Sequence, residues 1–191
     1  MQKINRDRVL EVKILIVLAA IISLLALACT ASAQTTGFVE SYNTISDSTT
    51  PQVDIYAKGP IKGKLGWTVW SLSSKGWSEG HAGLTFAPAG WMELSGSLGI
   101  ETDENPLRGS VSFWVGKGRW SYLSIHEHGG SGYWFRHLAT FEVTKTFFVG
   151  VNSTRFLGTG PYIEKKFGKV SFWGTYAVGD DKGVIGARFN F

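Results

Sequence analysis

The chain is almost without cysteine, holding one residue, Cys29, among 191. A disulfide framework is therefore excluded, and a small exported domain must draw its rigidity from elsewhere. Proline is scarce, with five residues, and no linker or low-complexity tract breaks the chain, which argues for one domain. Charge is nearly balanced, at 19 Lys and Arg against 15 Asp and Glu, so no electrostatic case for nucleic acid arises. Long apolar runs are missing apart from one, Ile14 to Ala28. Its 15 residues fall short of a comfortable membrane-crossing helix, which needs about 20. Beyond it, no segment sustains an apolar period of 3.6, so amphipathic helices are not expected.

What is present begins at the N-terminus. Lys3, Arg6, Arg8 and Lys13 form a basic region, the apolar run follows, and Ala31-Ser32-Ala33 offers a small-x-small cleavage site before Gln34. Residues 1–33 read as a signal peptide and residues 34–191 as the mature domain. An uncleaved anchor is one alternative. Cleavage before a lipid-modified Cys29 is another, although Leu27 stands one position late for that pattern. Removing Lys3, Arg6, Arg8, Lys13, Asp7 and Glu11 with that segment leaves 15 basic and 13 acidic residues. The mature part keeps all eight tryptophans and has no cysteine.

Short alternating runs recur at intervals of about a dozen residues. They place strands at 37–44, 52–58, 64–72, 79–87, 91–101, 108–115, 119–127, 133–143, 146–153, 160–165, 169–178 and 183–191. The connections fall into two alternating sets. One contains 59–63, 88–90, 116–118, 144–145 and 166–168; the other contains 46–51, 73–78, 102–107, 128–132, 154–159 and 179–182. The first is on average shorter and the second longer and more polar. Outer-membrane barrels keep short turns on the periplasmic side, with both chain ends there. Counting back from Phe191 puts the short set on that side throughout.

The last strand carries the most specific signal. Ile185, Ala187, Phe189 and Phe191 share one face, and Arg188 and Asn190 the other. Gly186, Phe189 and Phe191 resemble the C-terminal assembly signal of bacterial outer-membrane β-barrel proteins, with Ile185 standing where a polar residue is usual. The resemblance implies an all-β fold, a single up-and-down antiparallel transmembrane β-barrel behind an N-terminal signal peptide. It also implies an outer-membrane location and a barrel-assembly machinery and outer-membrane lipids as partners. The segment count gives 12 strands. Eight to ten remain open, because 52–58 and 160–165 are short and residues 34–51 could form a free arm.

Several strands sort into two faces. Met92, Leu94, Leu98 and Ile100 oppose Glu93, Ser95, Ser97 and Glu101; Val111, Phe113 and Val115 oppose Ser110, Ser112 and Trp114. A soluble lipocalin-like barrel would turn the apolar face inward, so alternation alone does not choose. The aromatic content, 14%, suits two interfacial girdles. Placed in a membrane barrel, the polar faces make Glu79, His81, Glu93, Glu101, Arg136, Glu142 and Arg188 the expected lumen-lining residues. They either set the selectivity of a pore or pair across it and fill it.

Ser124-x-His126-x-His128 brings three polar side chains to one side near an extracellular rim. The set partly resembles outer-membrane lipid A deacylases, which use a Ser, a His and an acid on the outer surface, although here Ser precedes His. Glu142 lies roughly 30 Å away along the strand, and Glu127 points to the opposite face, so a polar rim is the reading. No residue set is assigned to catalysis or to a metal, and no cofactor is expected. The functional expectation is a narrow passive channel for ions or small polar solutes. The alternatives are a non-conducting barrel acting through its loops and, less favoured, a lipid-modifying enzyme.

Overall fold

The computed structural model describes residues 35–46, 49–179 and 181–191. The expected signal peptide, 1–33, lies outside them. Twelve strands follow in order: β1 Thr36–Ile45, β2 Thr49–Lys62, β3 Leu65–Ser74, β4 Trp77–Ala89, β5 Met92–Glu101, β6 Leu107–Lys117, β7 Trp120–Gly129, β8 Gly132–Thr144, β9 Phe147–Thr154, β10 Gly158–Phe167, β11 Val170–Ala177 and β12 Lys182–Asn190. Each pairs antiparallel with its sequence neighbours, and β1 pairs with β12 to close the barrel. The seam runs from Phe38 opposite Asn190 to Ile45 opposite Gly183. Beyond it, Gly37 and Phe191 exchange backbone hydrogen bonds of 3.2 and 3.0 Å.

The chain therefore has 12 strands, and residues 36–45 are a full member of the wall, not a free arm. Two segments expected to be short prove long enough to span: β2 has 14 residues and β10 has 10. Strand β2 grows through Gly59 and Pro60, a pair that reads as a turn. The register shifts between Pro60 and Lys62, where a residue without an N–H is tolerated at a bulge. Similar shifts lie between Phe86 and Ala89 and between Glu142 and Thr144. All three sit at the barrel end that carries both termini, here called the terminal end.

Connections at the terminal end are two residues each: 63–64, 90–91, 118–119, 145–146 and 168–169. Gly118 and Gly168 open two of these with φ of 62°, the left-handed region that tight hairpin turns demand and that costs other residues about 1–2 kcal/mol. At the far end the connections run from two residues, 75–76 and 130–131, to five, 102–106. A ten-residue strand at about 3.4 Å per residue, tilted by about 40°, rises roughly 26 Å, matching the ~25 Å apolar band of a membrane barrel.

Register fixes the two faces. Leu84, Leu98, Val111, Phe172 and Ile185 point outward and are 55% or more exposed, whereas the inward Glu40 and Arg108 are 1% and 3% exposed. Large apolar side chains on the surface and charges inside invert the rule for a water-soluble fold. Apart from polar clusters described below, the outer surface is suited to acyl chains.

Candidate functional site

The interior divides into a crowded wall and an open one. Strands β10, β11, β12 and β1 bring Tyr162, Trp173, Val184 and Tyr42 together, with Leu138 of β8 and Leu157 packed against them. Tyr162 donates to Glu164 at 2.9 Å, and the rings of Tyr162 and Trp173 stack with centroids 5.9 Å apart. On the other side the middle of β5 and β6 turns small hydroxyls inward, between Glu93 and Trp114 toward one end and Glu101 and Arg108 toward the other. Ser95 stands opposite Ser112, their hydroxyls 2.5 Å apart, and Ser97 opposite Ser110. All four are half-buried. Closing 12 strands about 4.8 Å apart gives a backbone diameter of about 24 Å, so removing long side chains from one wall leaves room for an aqueous path beside it.

Eight of the charges inside the described barrel meet in ion pairs. At the far end Arg108, buried to 4% side-chain exposure, lies 2.7 Å from Glu101, 3.1 Å from Glu127 and 3.2 Å from Glu79. Ser131 in the β7–β8 turn donates its backbone N–H and hydroxyl to Glu101 at 2.9 and 2.7 Å, which fastens the turn to β5. The chain must come close here: a Cβ at Gly129 would stand 2.5 Å from Glu101 Oε1 and 2.9 Å from Arg108 Cγ. Glycine supplies that clearance.

Lys58 meets Glu93 at 2.7 Å, half-way out toward water. Arg188 donates to Glu40 across the β1–β12 seam and lies over the Phe38 ring, 4.7 Å from its centroid. Arg136 donates to Asn152 Oδ1 at 3.1 Å and faces the Trp173 ring at 5.8 Å. Breaking a buried ion pair by removing one partner costs about 3–5 kcal/mol, so the Arg108 and Arg188 contacts hold the shape of the bore.

The register points Glu79, His81, Glu93, Glu101, Arg136, Glu142 and Arg188 inward. Glu79 and Glu101 meet at Arg108. His81 stands opposite Trp70, their rings 5.6 Å apart. Glu142 lies separately toward the terminal end. Sequence reasoning passed over Arg108, the hub of the far-end cluster, and its partner Glu127. The signal was present: Arg108 falls on the same side of β6 as Ser110 and Ser112. Counting every inward charge gives Glu40, Asp54, Glu79, Glu93, Glu101, Glu127, Glu142 and Glu164 against Lys58, Arg108, Arg136, Lys166, Lys182 and Arg188. The described interior thus holds an excess of carboxylates.

No protein-family model and no curated protein matches the chain. Solved structures do match. The KdgM porin superimposes with a TM-score of 0.58 at 9% identity, covering 81% of this chain and 99% of that one. The same porin in complex with disordered oligogalacturonate gives 0.59 at 10% identity, over 81% and 99%. The NanC porin gives 0.54 at 9% identity, over 80% and 98%. The chain has the KdgM and NanC porin fold.

On this porin fold the Ser124, His126 and His128 side chains point outward, as do Tyr122, Tyr133 and His137. Ser124 Oγ and His126 Nε2 are hydrogen-bonded at 2.9 Å, His126 Nδ1 and the Tyr133 hydroxyl at 2.5 Å, and the Tyr122 hydroxyl and His137 Nδ1 at 2.9 Å. These polar atoms satisfy one another, which lowers the cost of facing hydrocarbon. A groove of about 690 Å³ runs beside them, flanked by Leu84, Leu98, Val111 and Tyr133. The serine is a covered nucleophile, 8% exposed, and Glu127 points into the lumen toward Arg108. Among the described residues the array holds a serine–histidine contact without the acid that a hydrolytic triad requires.

Proposed function

We propose that the protein is a narrow passive channel of the outer membrane, passing small polar solutes and favouring cations over anions. The observation that carries this reading is the asymmetry of the bore. Its crowded wall is locked by aromatic packing and ion pairs, while the Ser95, Ser97, Ser110 and Ser112 wall is left partly open to water. Rings and clusters of carboxylates favour cation passage, and the interior carries two more acidic than basic side chains by the register given above.

In this reading Glu93, Glu142, Arg136 and Arg188 line the passage, and Glu79, His81 and Glu101 shape its far-end constriction. The KdgM porin is known in complex with disordered oligogalacturonate, which makes short polar oligomers a solute class to test here. Residues 1–33 direct export and are removed. Gly186, Phe189 and Phe191 are read by the barrel-assembly machinery, and the outer face meets outer-membrane lipid.

The test is a planar-bilayer recording of the refolded protein under a KCl gradient. The proposal expects steady conductance steps and a reversal potential displaced toward that of potassium. Silence in a preparation shown to be folded by its faster unboiled migration on a detergent gel would mean that the side chains plug the barrel. A reversal potential on the chloride side would overturn the cation preference.

A further inference from the structure

We propose that Glu79, His81 and Glu127 form a binding site for one divalent transition-metal ion of the zinc type, inside the far half of the barrel. The three offer ligand atoms that all lie within 4.8 Å of one another, and each residue is buried. Two are neighbours on the inward face of β4; Glu127 reaches them from β7 across the inward positions of β5 and β6. Those positions include Gly99 and Ser110, together with Arg108, which touches both carboxylates. Gly99 stands opposite His81, and a Cβ there would come within 2.9 Å of the imidazole Cγ. The missing side chain is what lets the histidine lie over β5 toward the carboxylates.

Two deficits converge at this place. The first is charge. Glu79, Glu101 and Glu127, each 8% exposed or less, share one counter-ion among the described residues, Arg108. With all three ionised, two negative charges are left without a partner in a water-poor pocket, an expensive arrangement. One dication makes the sum zero. The second deficit is hydrogen bonding. His81 is 6% exposed, and neither Nδ1 nor Nε2 has a hydrogen-bond partner among the described residues. Buried imidazole nitrogens are normally satisfied, and the lone pair of a neutral imidazole is a metal donor. A single metal ion answers both deficits at once.

The donor set selects the metal class. One imidazole with two carboxylates suits zinc and its first-row neighbours better than calcium or magnesium, which favour all-oxygen shells. Ligand atoms around tetrahedral zinc lie about 3.3 Å apart, so side-chain shifts of about an ångström close the site. Arg108 Nε faces Oε2 of both Glu79 and Glu127, and each carboxylate retains further lone pairs for a metal.

Calorimetric titration of Zn²⁺ into the folded, chelator-treated protein in detergent tests the site. It needs no conduction, so failure of the channel reading leaves this test intact. The expected result is one ion per barrel, bound at least tenfold more weakly by His81→Phe, which keeps a ring against Trp70 but offers no donor. The variant His126→Ala/His128→Ala/His137→Ala, which strips the outer face of imidazoles, should bind as the parent does. Absence of binding, or binding that survives His81→Phe and disappears with the outer histidines, overturns the proposal. Should His81→Phe fail to fold, zinc X-ray absorption on the parent protein decides. One nitrogen and two carboxylate ligands support the site, and several imidazoles contradict it.

Discussion

Replacing Arg108 with methionine removes the only cation in contact with Glu79, Glu101 and Glu127 among the described residues. The three contacts measure 2.7 to 3.2 Å, and the arginine side chain is 4% exposed. Exposed ion pairs contribute about 0–1 kcal/mol, but removing one member of a buried set costs about 3–5 kcal/mol because the survivors stay desolvated. Arg108→Met should therefore lose about 3–5 kcal/mol. With a urea dependence of about 2–3 kcal/mol per molar, the midpoint should fall by roughly 1–2.5 M. The eight tryptophans make fluorescence a convenient readout in lipid vesicles. A second substitution, Glu101→Gln, should recover part of the loss in the Arg108→Met background and none in the parent, where Glu101 also accepts from Ser131. A loss below about 1 kcal/mol would refute the reasoning, since it would mean that water screens these charges.

Three further outcomes follow from the assignment of faces. Val111→Arg, at an outward position 59% exposed, should destabilise the folded protein in vesicles by about 2–4 kcal/mol if it meets the bilayer midplane. Its neighbour Ser112→Arg, on the open inner wall, should stay within about 1 kcal/mol of the parent while lowering single-channel conductance. Deleting Phe191 removes the backbone pairing with Gly37 at the seam and the final aromatic, and should reduce the heat-modifiable folded fraction in membranes when expression is held constant.

Much of the fold was legible because a membrane barrel exposes its code along each strand. The alternation in Met92 to Glu101 needs no tertiary information to separate an apolar from a polar face, and the same period puts Glu79, Glu93 and Arg188 on polar faces. Strand ends were less legible. Gly59-Pro60 carries a strong local turn signal, and only the pairing of Pro60 with Gly66 on β3 keeps it in the wall. The far-end cluster was hidden for another reason. Arg108, Glu101 and Glu127 sit at the ends of three different strands, and periodicity gives a side chain's face but not the register between strands. Period alone does not say whether the Ser124 and His126 face meets lipid, because Trp120, Tyr122 and the histidines are amphipathic. Register settles it through Val111, which stands opposite His126 and faces outward.

Single cysteines introduced at Ser97 and at Leu98 test the whole account most directly, because the only native cysteine is Cys29. Ser97 faces the open wall of the bore and Leu98, 69% exposed, faces outward. A charged, water-soluble methanethiosulfonate applied during single-channel recording should react with Ser97→Cys and step the conductance down, and should leave Leu98→Cys unaffected. Reaction at Leu98→Cys with none at Ser97→Cys would place water outside and the packed core within, and would contradict the account.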